Sequence, residues 1–157
     1  MVTNALTLAN GKPYAQAILK GNNKYKELRG KVEFFPWNTG TIVKLEIVGL
    51  PSNSENNFFG FHIHEIGECI YNETNPYISA GSHYNKDDNK HPNHSGDLPM
   101  IYSNNGYSFM LYYTARFTPK DILNRSVIIH KMQDDLMTDP AGNSGERIEC
   151  GVIIKVL

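Results

Sequence analysis

The chain has only two cysteines, Cys69 and Cys150, far apart in sequence, and this scarcity excludes a cysteine-rich zinc finger. They read as two buried thiols or as one disulfide, and composition favours free thiols in a cytosolic chain. Neither sign of charge predominates. Fifteen Lys+Arg stand against 16 Asp+Glu, with a pI near 6.6, so there is no basic footprint for nucleic acid and no polybasic patch for a membrane surface. Long hydrophobic runs are missing too: nothing approaches the ~20 apolar residues of a membrane span. Residues 1–13 (MVTNALTLANGKP) lack the cationic start and apolar stretch of a secretion signal. These absences lead us to expect a soluble, cytoplasmic chain with neither nucleic acid nor membrane as partner. Helical periodicity is equally scarce, although Thr118-Pro119-Lys120-Asp121 is suited to capping one turn. Without repeat, low-complexity tract or linker, residues 1–157 form one domain, long enough to bury a core.

What is present is a succession of short runs rich in Val, Ile, Tyr and Phe. Residues 15–20, 30–35, 41–50, 58–65, 107–116, 125–131 and 150–156 each have strand composition. Turn-forming residues separate them: Asn22-Asn23, Asn38-Thr39-Gly40, Pro51-Ser52-Asn53 and Asn104-Asn105-Gly106. Alternation is clean over residues 41–48, which places Val43, Leu45 and Ile47 on one side. Seven or eight such strands predict an all-β fold, a Greek-key sandwich or flattened barrel.

Two connections are too long to be turns. Residues 67–97 and 132–148 have almost no strand character, and long loops in a compact domain tend to be functional or disordered. The six histidines cluster around them. In Gly60-Phe61-His62-Ile63-His64-Glu65 the spacing i, i+2 puts His62 and His64 on one face of a strand. His83, His91, His94 and Asp97 lie in the first loop, and His130 stands just before the second. A single loop histidine is ordinarily a solvated side chain. Six of them beside one aspartate match two imidazole-rich sites and favour copper or zinc over calcium or magnesium.

These residues carry a family resemblance. Gly60-Phe61-His62-Ile63-His64-Glu65-Ile66-Gly67 is similar to the first signature of the copper/zinc superoxide dismutases, and residues 142–153 (GNSGERIECGVI) fit the second. Ala80-Gly81-Ser82-His83-Tyr84-Asn85, His94-Ser95-Gly96-Asp97-Leu98 and Val127-Ile128-Ile129-His130 followed by Asp134-Asp135 resemble the remaining blocks in order. The likeness runs from about residue 14 to the C-terminus and is closest to the short-loop bacterial branch.

The resemblance implies an immunoglobulin-like Greek-key sandwich, or flattened eight-stranded barrel, with two functional loops. It implies copper on His62, His64, His83 and His130, and zinc on His83, His91, His94 and Asp97, with His83 as the shared imidazolate. Six histidines and one aspartate fill two four-coordinate sites only if one ligand is shared. Asp134 takes the part of the carboxylate that orients one copper and one zinc histidine. Arg147 takes the part of the anion-docking arginine, whereas spacing alone favours a salt bridge to Glu146, Glu149 or Asp139. Cys69 and Cys150 become the family's disulfide. The implied substrate is superoxide, with a copper-delivery partner and a monomeric or homodimeric state. A noncatalytic copper- and zinc-binding sandwich is the competing reading. The second loop lacks a Lys/Glu-rich guidance insert, so Lys86, Lys90 and Lys131 are ordinary surface charges until shown otherwise.

Overall fold

The computed structural model describes residues 4–52 and 57–157, so Asn53 of the expected turn at 51–53 and the first three residues of the leader reading lie outside it. A five-residue helix α1 (Ala5–Ala9) precedes the strands β1 (Ala15–Gly21), β2 (Arg29–Trp37), β3 (Gly40–Val48), β4 (Phe58–Phe59), β5 (Phe61–His64), β6 (Ile101–Tyr102), β7 (Tyr107–Thr114), β8 (Ser126–His130) and β9 (Arg147–Lys155). Seven of them form one curled sheet in the order β5-β8-β9-β1-β2-β3-β7, and β4 pairs with β6. The strands β3 and β7, and β9 and β1, are neighbours in the sheet without being consecutive in sequence, as expected of a Greek-key all-β fold.

Alternation explains the core. Val43, Leu45 and Ile47 of β3 join Ala17, Leu19, Val32, Phe34, Phe61, Ile63 and Ile153 in one buried cluster. Their neighbours along the strands point outward, as the two-residue period requires. At one end the outer face is covered as well: Ile42 and Phe35 pack with Ala9 of α1, whose N-cap Asn4 accepts the Thr7 N–H. The turns follow their chemistry. Asn105 and Gly106 both take positive φ between β6 and β7, the conformation that an Asn-Gly pair adopts at least cost. Thr118 to Asp121 closes on itself, the Asp121 carboxylate accepting from the Thr118 N–H and hydroxyl at 2.8 Å each, without a regular helix following.

Two expectations need correcting. The segment expected as one strand over residues 58–65 is split at Gly60, where the chain leaves β6 and joins β8. Gly60 bonds Met132 and His130 through its backbone, and a Cβ there would run into Ser144 and His130. The last strand starts at Arg147 rather than Cys150. A bulge between Ile129 and His130 upsets the register, so Ile148, Glu149 and Cys150 are buried in succession and the alternating signal is lost.

Candidate metal centre

Strand β5 is the site's foundation. Phe61 and Ile63 enter the core while His62 and His64 occupy the opposite face, buried beneath the first long loop. That loop is stitched to β5 by backbone bonds on both sides. Glu65 N–H donates to Ser82 O and Tyr84 N–H to Ile63 O, while Ile63 N–H donates to Gly96 O and Leu98 N–H to Phe61 O. The register therefore sets His83 opposite His64 and Asp97 opposite His62. His130, at the end of β8, donates its backbone N–H to Gly60 O.

The result is two groups of four buried side chains, each with its ligand atoms within 4.8 Å of one another: His62, His64, His83 and His130, then His83, His91, His94 and Asp97. His83 belongs to both. Its Nδ1 lies 2.8 Å from Asp97 Oδ1, and its ring centroid is 3.9 Å from that of His62. Nε2 of His130 is 3.4 Å from Nε2 of His64. Nδ1 of His91 and of His94 are each 3.2 Å from Asp97 Oδ2, which also accepts the His94 N–H at 2.9 Å.

Asp134 bridges the two groups from behind. Its Oδ2 is 2.7 Å from His62 Nε2 and its Oδ1 is 2.9 Å from His91 Nε2, while the Leu136 N–H donates to Oδ1 at 2.7 Å. Burial alone would raise the Asp134 carboxyl, but the bonds from His62, Leu136 and His91 outweigh it and hold it well below the usual range. Gly142 takes φ of +62°, and a Cβ there would collide with Asp134 and His91, so the second loop closes over this bridge only through glycine. Burial, reinforced by neighbouring imidazoles, keeps His64 and His130 well below their ordinary value. The same burial lowers His83 to about 4 despite its bond to Asp97.

This donor set has an unmet demand. Among the described residues, His62 Nδ1, His83 Nε2, His91 Nδ1 and His94 Nδ1 are buried without a hydrogen-bond partner. Burying an unpaired polar atom costs free energy, and four in one place call for something that accepts electron pairs. Imidazoles beside one carboxylate fit zinc and copper and suit the oxygen-seeking cations poorly. The residues therefore fit both metals, one group offering four imidazoles and the other three and a carboxylate.

Arg147 forms no salt bridge with Glu146, Glu149 or Asp139, contrary to what spacing favours: Glu146 pairs with Lys24 at 3.2 Å, and the guanidinium donates to Tyr77 O at 2.7 Å and Gly81 O at 2.8 Å. Gly81 O also lies 2.9 Å from His64 Nδ1, so one carbonyl fixes both side chains. The segment carrying those carbonyls is tied to β9 by a disulfide between Cys69 and Cys150, which overturns the compositional preference for free thiols. Composition knows only the compartment's average, whereas the fold brings the two Cα atoms to 5.7 Å, within disulfide reach. In the chain-entropy model, closing a loop of that length stabilises by about 4–5 kcal/mol.

Sequence reasoning missed Arg116, whose Nη1 donates to the carbonyls of Pro92, His94 and Asp97 at 2.9, 2.8 and 3.2 Å and so clamps the loop that bears four of the groups' residues. Its acceptors are backbone atoms, which no side-chain pattern announces. It also missed Gly142, although the motif containing that residue was noticed.

The family model for copper/zinc superoxide dismutase matches residues 28–153. Superoxide dismutase (Cu-Zn) 2 of Aquifex aeolicus is 37% identical over 146 residues, covering 83% of this chain and 82% of its own. Superoxide dismutase (Cu-Zn) of Deinococcus radiodurans is 34% identical over 160 residues, covering 90% of this chain and 85% of its own. The solved Cu/Zn superoxide dismutase from Brucella abortus superposes with a TM-score of 0.75 at 25% identity, covering 88% of this chain and 98% of that one. The chain belongs to the copper/zinc superoxide dismutase family.

Proposed function

We propose that this protein converts superoxide to oxygen and hydrogen peroxide, with copper held by His62 Nδ1, His64 Nε2, His83 Nε2 and His130 Nε2, and zinc by Nδ1 of His83, His91 and His94 with Asp97. The observation that carries the reading is the set of buried, unpartnered imidazole nitrogens distributed over two groups that share one ring. Copper bound there would supply reversible one-electron chemistry, by which two superoxide ions and two protons become one oxygen and one hydrogen peroxide. Zinc, which has no redox chemistry, would be held by His83, His91, His94 and Asp97 and would organise the first loop.

The chain's own groups do the rest. Arg147, held by Tyr77 O and Gly81 O, presents a fixed positive charge beside His64 for a small anion, which a flexible and strongly hydrated lysine would hold less well. His83, its Nδ1 facing Asp97, would offer Nε2 either to copper or to a proton destined for the product, one at a time. Asp134 fixes the tautomers of His62 and His91 together, so the two metal sites are positioned by one carboxylate. Copper delivery by a partner protein and a cytoplasmic location accompany this reading.

Metal analysis of the purified protein beside an assay of superoxide-driven cytochrome c reduction tests the proposal. Loaded protein should contain one copper and one zinc per chain and suppress the reduction. Bound metal without suppression would transfer the protein to the noncatalytic metal-binding reading. Arg147→Ala should keep both metals and lose the rate by about ten- to a hundredfold, with a weaker dependence on ionic strength, as expected when a docking charge is removed. Asp134→Ala should weaken zinc binding by about ten- to a hundredfold, read by competition with a chelator, because His62 and His91 lose their shared anchor.

A further inference from the structure

Resting on the assignment of zinc to His83, His91, His94 and Asp97, we propose that Arg116 is the positioning residue that makes this group choose zinc over copper, acting on the ligands through their backbone. Left to affinity alone, a site of nitrogen and oxygen donors takes copper(II) ahead of zinc, so a chain with two adjoining sites must discriminate by geometry. Zinc accepts four tetrahedral ligands, whereas copper(II) favours a flattened, tetragonal set.

The two groups differ in that respect. The rings of His83, His91 and His94 stand 5.6, 5.6 and 5.9 Å apart between centroids, a nearly equilateral set that suits three corners of a tetrahedron. Three corners of a square would leave one separation clearly longer than the other two. In the first group the separations run unevenly from 3.9 to 6.4 Å.

One nitrogen holds the regular set in place. Nη1 of Arg116 donates to Pro92 O, directly after His91, at 2.9 Å, to His94 O at 2.8 Å and to Asp97 O at 3.2 Å. Each ligand that residues 91–97 supply is therefore tied to the same point. Other bonds fix different places: Gly96 and Leu98 are joined to β5, and the His91 N–H donates to Asp139 Oδ1. The root of the arginine is rigid. Its N–H donates to Thr114 Oγ1 at the end of β7, and the next residue, Phe117, is buried edge-on to Phe34 with its carbonyl accepting from buried Thr41 at 2.9 Å. Among the described residues no carboxylate pairs with Arg116, so the guanidinium is spent on the loop. Without that charge three converging carbonyl dipoles repel one another, and the spacing of the rings is released.

Metal competition tests the proposal. Metal-free parent protein is dialysed against a chelator-buffered mixture of copper(II) and zinc(II), set so that it takes up one of each. In the same mixture Arg116→Ala should hold at least fivefold less zinc, with copper rising towards two per chain, and Arg116→Lys, which keeps the charge on a shorter stem, should fall between. Cobalt(II) in place of zinc supplies the spectroscopic check: its intense tetrahedral absorption should weaken in Arg116→Ala. Arg116 is exposed, so its replacement leaves the core intact. An arginine that merely stabilises the fold would lower the melting temperature and leave both the metal ratio and the cobalt spectrum unchanged, which overturns the assignment. Loss of both metals in equal proportion, or a lysine variant no better than alanine, overturns it too. Should no mixture give the parent one of each metal, the failure lies with the dismutase reading itself.

Discussion

Alanine in place of His130 abolishes dismutation. Among the described residues, Nε2 of His130 has only His64 Nε2 within hydrogen-bond distance, at 3.4 Å, while its Nδ1 is directed to Gly145 O at 3.3 Å. Two ring nitrogens thus have separate duties: one is anchored to the second loop and the other is left for the metal. Removing the ring leaves three imidazoles from β5 and the first loop, without the donor that the neighbouring strand β8 contributes. The expected result is suppression of cytochrome c reduction no greater than that of buffer, with copper content sharply reduced and zinc retained, since His130 is absent from the second group. His91→Ala should show the reverse order of loss, zinc before copper. Undiminished activity in His130→Ala would remove this residue from the copper set and with it the proposed division of ligands. A parallel melting curve separates ligand loss from unfolding, because the side chain is buried and its removal also leaves a cavity.

Much of this geometry was readable in the sequence, for a physical reason. Strand period is fixed at two, so His62 and His64 on one face and Phe61 and Ile63 on the other follow from the residues alone. The same period exposed the core side of β3. What escaped depends on backbone atoms and on interruptions of the period. Arg147 looked like one half of a salt bridge because carboxylates are visible in a sequence and carbonyls are not; its partners are the carbonyls of Tyr77 and Gly81, some 66 to 70 residues away. The helix α1 is too short to show a helical period, although Asn4 followed by Thr7 was a capping signal available to read. The early start of β9 was hidden by the bulge opposite His130, which puts consecutive side chains out of solvent.

Beside that bulge lies a buried carboxyl, Glu149, and its replacement should stabilise the fold strongly. Glu149 lies between Ile148 and Cys150 with no solvent exposure, and among the described residues neither carboxyl oxygen has a hydrogen-bond partner. Burial pushes its pKa from the ordinary 4.5 up to about 8, so the native protein carries it neutral at pH 7 whereas the unfolded chain ionises it. Between pH 4.5 and 8 the native state therefore binds a proton that the unfolded state releases. Native stability consequently falls as pH rises through that window and levels off above it. The cost at pH 7 is on the order of 3 kcal/mol, rising to roughly 4–5 kcal/mol beyond pH 8. Glu149→Gln keeps the shape and abolishes the ionisation. It should raise the melting temperature at pH 7 by about 6–12 °C for a chain of this size, with little difference from the parent below pH 4.5. Denaturant unfolding of both proteins across pH 4 to 9 measures the gap directly. A constant gap would mean that the carboxyl has the same affinity for protons in both states, and a parent protein that gains stability between pH 5 and 8 would mean that it is ionised and paired. Because Glu149 stands two residues from Arg147 and next to Cys150, an unchanged dismutation rate in the stabilised variant would also show that the strain of burying this group is separable from the positioning of the arginine.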